Sequence, residues 1–261
     1  MRKTSVIMPV ILLVAGLAGC YLRRTELMTV FEASGFPVLY QPVTLALLGL
    51  SAAAVLVSLV FSIVMAARFT SRPDYKRAFK PSGLLYLVAF FVLGVALALF
   101  SVYYGMTVRA MGTASVLEYL FAALGLLSGI SFIVLAYGSY KGSRGNAPMI
   151  FGIFPVLFPC LWLILLYKEH STDPVLLRYG YQCLAIAAAT LSFYYAGGMA
   201  YRKKAPGRTV FAHLVGIFFC GVVLFEEILL PLRVFFLILL LAQLLNAVVF
   251  IRNLVHKSEA E

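Results

Sequence analysis

The sequence predicts an all-α integral membrane protein, a polytopic bundle of about eight transmembrane helices, and three observations carry that prediction. The first is composition. Of 261 residues, 63% are hydrophobic and only 12% are charged, where a soluble domain carries roughly 25% charged residues. The mean hydropathy is +1.00. No soluble fold buries that much apolar surface, so lipid is the expected solvent. The second is a series of apolar runs at about 5–22, 42–67, 83–106, 116–138, 148–167, 175–200, 209–227 and 228–251. Each approaches the roughly 20 residues that a helix needs to cross about 30 Å of hydrocarbon. The third is charge asymmetry. Most of the 21 Lys and Arg fall in alternate connections: Arg2 and Lys3; Arg68, Arg72, Lys76, Arg77 and Lys80; Lys141 and Arg144; Arg202, Lys203, Lys204 and Arg208; Arg252 and Lys257. The other side holds Arg23, Arg24, Arg109, Lys168, Arg178 and Arg233.

By the positive-inside rule the richer side is cytoplasmic, which puts both termini in the cytoplasm of a bacterial plasma membrane. The runs are expected to be helices, because backbone groups in lipid must be satisfied within the segment and no barrel-like alternation is present. The net charge of +11 therefore reads as orientation and contact with anionic headgroups. It is no sign of a nucleic-acid partner.

The first run has a second reading. Met1-Arg2-Lys3, an apolar core and Leu17-Ala18-Gly19-Cys20 are the ingredients of a bacterial lipoprotein signal, whose cleavage leaves a lipidated Cys20 and seven spans. Tyr21-Leu22-Arg23-Arg24 is a bulky, basic continuation, so an uncut first helix is the expectation. The segment 23–41 is the least membrane-like. Thr25 to Glu32 suggests a short surface helix with Leu27, Val30 and Phe31 toward lipid or protein, and Ser34-Gly35-Phe36-Pro37 suggests a turn. Arg23-Arg24-Thr-Glu-Leu-Met-Thr-Val-Phe-Glu-Ala-Ser-Gly-Phe-Pro, followed by Thr44-Leu-Ala-Leu-Leu-Gly-Leu-Ser, resembles uncharacterised multi-pass membrane proteins of Gram-positive anaerobic bacteria. The resemblance implies a membrane fold and no particular activity.

The basic cytoplasmic loop 68–82 sets five cations against Asp74, with Tyr75 and Phe79 interleaved. It is expected to anchor topology and to grip anionic headgroups, at roughly 1 kcal/mol per nearby cation. In the fourth span Gly125-xxx-Gly129 allows close helix approach, as do Ala188, Ser192, Ala196 and Ala200 in the sixth. Pro155 and Pro159, with Gly152 nearby, are a candidate hinge in the fifth span. Ser131-Phe132 and Tyr140-Lys141 recur as Ser192-Phe193 and Tyr201-Arg202, which suggests a repeated helical hairpin; interfacial Tyr and basic residues at helix ends explain the same pattern.

Polar residues inside spans are costly and raise a functional question. Arg178 and Gln182 share one helix face, Glu226, Glu227 and Arg233 flank the last outer turn, and Glu118 opens the fourth span on the same side. Together they form a candidate ligand or ion site; mutual pairing that fixes helix ends is the plainer alternative. On the inner side His213 and Asn246 fall at matching height, with Gln243 one turn deeper, and are expected to hydrogen-bond between helices.

Enzyme classes find little support. Glu226-Glu227 resembles the EExxxR opening of intramembrane prenyl-protein peptidases, but the Arg stands at 233, two places late, with Pro231 where it should be. There is no HExxH, no histidine pair for haem and no mid-span Lys for a Schiff base. Cys20, Cys160, Cys183 and Cys220 form no CxxC, so neither metal nor cofactor is expected. A small-molecule or ion transporter-like protein is the leading expectation. Its rival is a non-transporting component, a sensor or assembly partner acting through another subunit, a second copy or anionic lipid.

Overall fold

A computed structural model describes residues 4–31, 36–38, 40–71, 74–81, 83–112, 115–142, 146–173 and 175–257. Arg2, Lys3, Glu32, Ser34, Gly35, Arg72 and Arg144, which entered the charge and turn readings, lie outside those residues. The described chain forms ten helices: α1 (Thr4–Thr29), α2 (Pro42–Arg68), α3 (Tyr75–Ala78), α4 (Leu84–Ala110), α5 (Val116–Lys141), α6 (Ala147–Phe151), α7 (Phe154–Glu169), α8 (Gly180–Gly198), α9 (Pro206–Val222) and α10 (Leu230–Asn253). Two short strands, β1 (Phe69–Thr70) and β2 (Val255–His256), pair antiparallel and tie the end of α2 to the end of α10. Seven helices, with α6 and α7 taken as one, are long and apolar enough to cross a membrane. The protein is an all-α polytopic membrane bundle.

Several boundaries differ from the sequence reading. Helix α4 runs on to Ala110, and α8 begins only at Gly180, after a 3-10 turn at Leu176–Arg178 that holds Arg178 off the helix. Three more have a clear physical reason. Helix α1 does not end near residue 22 but runs to Thr29, because no Gly or Pro interrupts it after Gly19. The expected separate surface helix from Thr25 is its continuation. Helix α9 stops at Val222, short of the expected 227, and α10 begins at Leu230. The 17 residues of α9 reach only about 25 Å. That suffices because α9 packs against α1, α2, α8 and α10, and Gly216 to Val222 are all buried. Non-helical backbone at membrane depth is tolerated where protein covers it. The turn after α9 closes on itself, with Leu224 N–H donating to Gly221 O at 3.4 Å and Glu226 N–H to Val223 O at 3.1 Å.

Small residues set the helix spacing. A Cβ on Gly16 would lie 2.8 Å from Phe218 O, so α1 and α9 touch backbone to backbone. A Cβ on Gly94 would lie 2.5 Å from Gly129 O, which makes Gly129 part of the α4–α5 crossing. The fifth span breaks between α6 and α7. There Gly152 N–H donates to Pro148 O at 3.1 Å and Ile153 N–H to Ile150 O at 3.4 Å. Pro155 sits in the first turn of α7, where no N–H is needed, while Pro159 is carried inside α7 without ending it. The two phenylalanines of the repeated Ser-Phe pairs, Phe132 and Phe193, meet with ring centroids 5.6 Å apart.

Replacing Gly94 by Leu is expected to cost about 1–3 kcal/mol or abolish folding, read as a lowered unfolding temperature in detergent. Gly49→Leu, where a Cβ meets nothing within 4 Å, is expected to change little. Cleavage before Cys20 would remove Gly16 and Gly19 from the α1–α9 contact. Intact-mass measurement is therefore expected to show a chain that retains them; an acylated chain starting at Cys20 would show the opposite.

Candidate functional site

Along α1 the buried positions are Pro9, Leu12, Gly16, Gly19, Cys20, Arg23, Glu26 and, just past its end, Val30. This stripe at spacings of three and four is an apolar helix face that ends in an arginine and a glutamate. Arg23 is 0% exposed. Its Nε donates to Glu226 Oε1 at 2.7 Å, one terminal nitrogen to Glu26 Oε2 at 2.6 Å, and the other to the carbonyl of Arg178 at 2.6 Å. The Tyr181 ring lies 5.0 Å from the guanidinium carbon. Gln182 Nε2 donates to the second oxygen of Glu226 at 2.6 Å, and Arg233 donates to the Glu226 carbonyl at 3.0 Å.

One cation thus joins α1, the 3-10 turn that leads into α8 and the turn between α9 and α10. Glu26 keeps one oxygen buried without a hydrogen bond.

Above this network opens a cleft of about 1250 Å³. Arg24, Glu118, Lys168, Glu169, His170, Arg178 and Glu227 supply both signs of charge to its lining, and Tyr104, Leu165 and Leu232 supply apolar surface. Glu118 lies 3.7 Å from Lys168, and Arg178 lies 3.8 Å from Asp173 and 5.3 Å from the Phe31 ring. The His170 ring donates to Leu166 O at 3.1 Å and stacks on Tyr179. Tyr104 in the lining is the edge of a buried aromatic cluster: it meets Phe121 at 5.1 Å, Phe121 stacks on Phe158 at 4.8 Å, and Phe158 meets Phe235 edge-on at 5.3 Å.

The structure therefore brings Glu118, Arg178, Gln182, Glu226 and Glu227 around one cleft, and Arg233 reaches it through the Glu226 carbonyl. These residues play unequal parts. Gln182 and Glu226 belong to the buried network, Glu118 pairs with Lys168 and Arg178 with Asp173, and Glu227 is exposed. The sequence reading placed Arg23 in a solvated loop and Glu26 on a surface helix; both are fully buried. The signal that marks them is the α1 stripe, which passes through both without a helix breaker.

The expected bond between His213 and Asn246 is replaced by other partners. Asn246 Oδ1 accepts from the Tyr86 hydroxyl at 2.9 Å, and the His213 ring donates to Thr209 O at 2.8 Å through Nδ1. The backbone carbonyl four residues back on the same helix lies within reach of Nδ1, as it does for His170. Gln243 donates to Leu239 O at 3.1 Å and lies against Cys220 Sγ at 3.5 Å. Cys20, the candidate for lipidation, is buried within α1. Among the described residues no three His, Cys, Asp or Glu are grouped to hold a metal.

The chain matches no known protein-family model, no curated protein and no solved structure.

Removing one member of a buried ion group leaves its partners charged and unpaired, at a cost of about 3–5 kcal/mol. Arg23→Met is expected to lose that much, seen as a sharp fall in thermal stability or in folded yield from membranes. Glu226→Gln keeps an acceptor for Arg23 and is expected to cost clearly less. Equal losses in the two variants would show that Arg23 acts through packing alone.

Proposed function

We propose that this protein is a transporter-like carrier of a small solute, held in a bacterial plasma membrane with both termini in the cytoplasm. Support for the orientation comes from the concentration of Lys and Arg in alternate connections. Support for transport comes above all from the charged cleft of about 1250 Å³, whose lining includes Tyr104 at the edge of the buried aromatic cluster. A second cleft of about 610 Å³ lies at the opposite end of the same helices. Between them, beyond the aromatic layer, a narrow gap is lined by Tyr86, Phe90, Gly152, Pro155, Gly197 and Asn246.

Helices α6 and α7, with the break at Gly152, border all three spaces: Pro148 and Met149 the second cleft, Gly152 and Pro155 the gap, and Leu165 and Leu166 the first cleft. Interrupted helices tend to line transport sites, because their free backbone groups can be satisfied by a ligand and their halves can tilt separately. In this reading the protein stands open toward the charged cleft, and the layer of Phe121, Phe158, Trp162 and Phe235 closes the path.

The mixed charge of the cleft favours a solute that carries both signs beside an apolar body, since a wall of one sign would suit a simple ion. Arg24 and Glu227 are exposed in the lining and stand outside the buried network, so their loss is expected to spare the fold. The test is a thermal-shift screen of amino acids, betaines, and simple cations and anions, followed by uptake in proteoliposomes. A true ligand at about a hundredfold excess over its Kd stabilises by about 2.7 kcal/mol. That shift is expected to vanish in Arg24→Gln and Glu227→Gln, with uptake lost alongside. A panel with no ligand and no uptake, together with a subunit that stays bound in mild detergent, would turn the reading to the non-transporting component.

A further inference from the structure

The second cleft has a chemistry of its own. It lies between α3, the last turn of α5, the start of α6 and the turn 199–202 that follows α8. Lys76, Arg77, Lys80, Lys141 and Arg202 line it, against a single acid, Asp74. Nothing in the carrier reading requires this excess, and topology is already set by the other basic connections.

The cleft is built on anchored elements. The sequence reading placed Tyr75 and Phe79 among headgroups, yet both are buried, Phe79 at 0% exposure. Phe79 stacks on Phe250 of α10 at 5.3 Å and lies 4.8 Å from Tyr75. Burial also raises the Tyr75 phenol above its ordinary value. Asn253 of α10 donates to the carbonyls of Ala78 and Lys80 at 2.9 and 2.8 Å. On the other wall the Tyr201 hydroxyl donates to Met149 O at 3.0 Å. With its aromatic side turned into the core, the single turn of α3 keeps Arg77 and Lys80 exposed. Arg77 is held only at 3.8 Å by Asp74, and both side chains are open to solvent.

A second feature points to a ligand. Ser139 lines the cleft, is 1% exposed, and its hydroxyl has no hydrogen-bond partner. A buried hydroxyl in a helix ordinarily bonds the carbonyl one turn back, as Ser51, Ser58, Ser101 and Ser131 all do here. Ser139 stands apart from that pattern beside a concentration of cations.

We propose that this cleft binds a phosphate group, with Arg77 and Arg202 as its paired forks, Lys80 and Lys141 as point charges, and Ser139 as a neutral donor. Guanidinium groups match phosphate oxygens in pairs, and ammonium groups add charge without fixing orientation. The group is borne either by an anionic lipid whose headgroup enters from the bilayer edge or by a soluble phosphate. The volume of about 610 Å³ accommodates more than a bare phosphate ion.

The experiment has two arms on the full-length protein. In the first, protein is reconstituted in phosphatidylcholine vesicles with or without about one-fifth phosphatidic acid, and native mass spectrometry counts the lipid retained after extraction. In the second, inorganic phosphate is titrated against the protein in neutral detergent, with unfolding temperature as the readout. Preferential retention of phosphatidic acid that falls roughly tenfold or more in the double variant Arg77→Gln, Arg202→Gln, for two lost charge-assisted contacts, supports the site with lipid as its source. Stabilisation by inorganic phosphate that disappears in the same variant supports it with a soluble phosphate as the source.

Ser139→Ala is expected to weaken whichever signal is seen by a smaller factor. The pair Lys204→Gln, Arg208→Gln removes equal charge from the same face outside the cleft and is expected to change neither signal. If the arginine variant proves unstable, Lys80→Gln with Lys141→Gln takes its place and is expected to give the same loss. No binding in either arm, or equal losses in the cleft and control variants, would overturn the site and leave only general surface charge.

Discussion

The buried guanidinium of Arg23 is the interaction on which the packing at one end of the bundle depends. A charge removed from water costs several kcal/mol unless every donor finds an acceptor. Here the three guanidinium nitrogens are all engaged, by Glu226, by Glu26 and by a backbone carbonyl in the 3-10 turn that leads into α8. The acceptors lie 3, 155 and 203 residues along the chain from Arg23. Satisfying one side chain therefore fixes where α1, α8 and the α9–α10 turn stand relative to one another.

That constraint explains the short central helix. Helix α9 is too short to cross alone, and the chain leaves helical geometry at Val223. The following residues have backbone groups that lipid could not satisfy. The turn bonds internally, Arg233 takes up the Glu226 carbonyl, and the Glu226 side chain is clamped by Arg23 and Gln182. A polar turn at depth is stable there because four helices enclose α9. Above it the surface hollows into the charged cleft, so the network that holds the fold is also the floor beside the candidate solute site.

The two ends of the bundle use charge differently. At the end carrying Arg23, acids and bases alternate around a cleft and several pair with each other. At the opposite end the cations outnumber the acids, and the aromatic residues between them turn inward to pack on α10. This leaves a basic hollow whose walls come from connections distant in sequence. Such an arrangement recruits an anion where the first cleft accommodates both signs. The break at Gly152 lies between the two, where a Cβ on Gly197 of α8 would lie 3.3 Å from Gly152 O.

Much of the candidate site was legible as residue types: Glu118, Arg178, Gln182, Glu226 and Glu227 are polar groups at one end of apolar spans, and spacing alone grouped them. What could not be read was which of them would be buried. Arg23 and Glu26 look like loop residues because hydropathy falls after Leu22, and only the continuation of the α1 stripe shows that the helix goes on. Likewise His213 and Asn246 lie at similar depth, but depth says nothing about which way each faces, and both bond elsewhere. The sequence by itself determined the solvent, the helical class and the approximate positions of the spans, because hydrocarbon leaves an apolar run no other way to satisfy its backbone. The tertiary structure decided which helix is central, which charges are paired and that the hydroxyl of Ser139 on α5 is left without a partner. Those depend on contacts between residues far apart in the chain, which neither composition nor periodicity encodes.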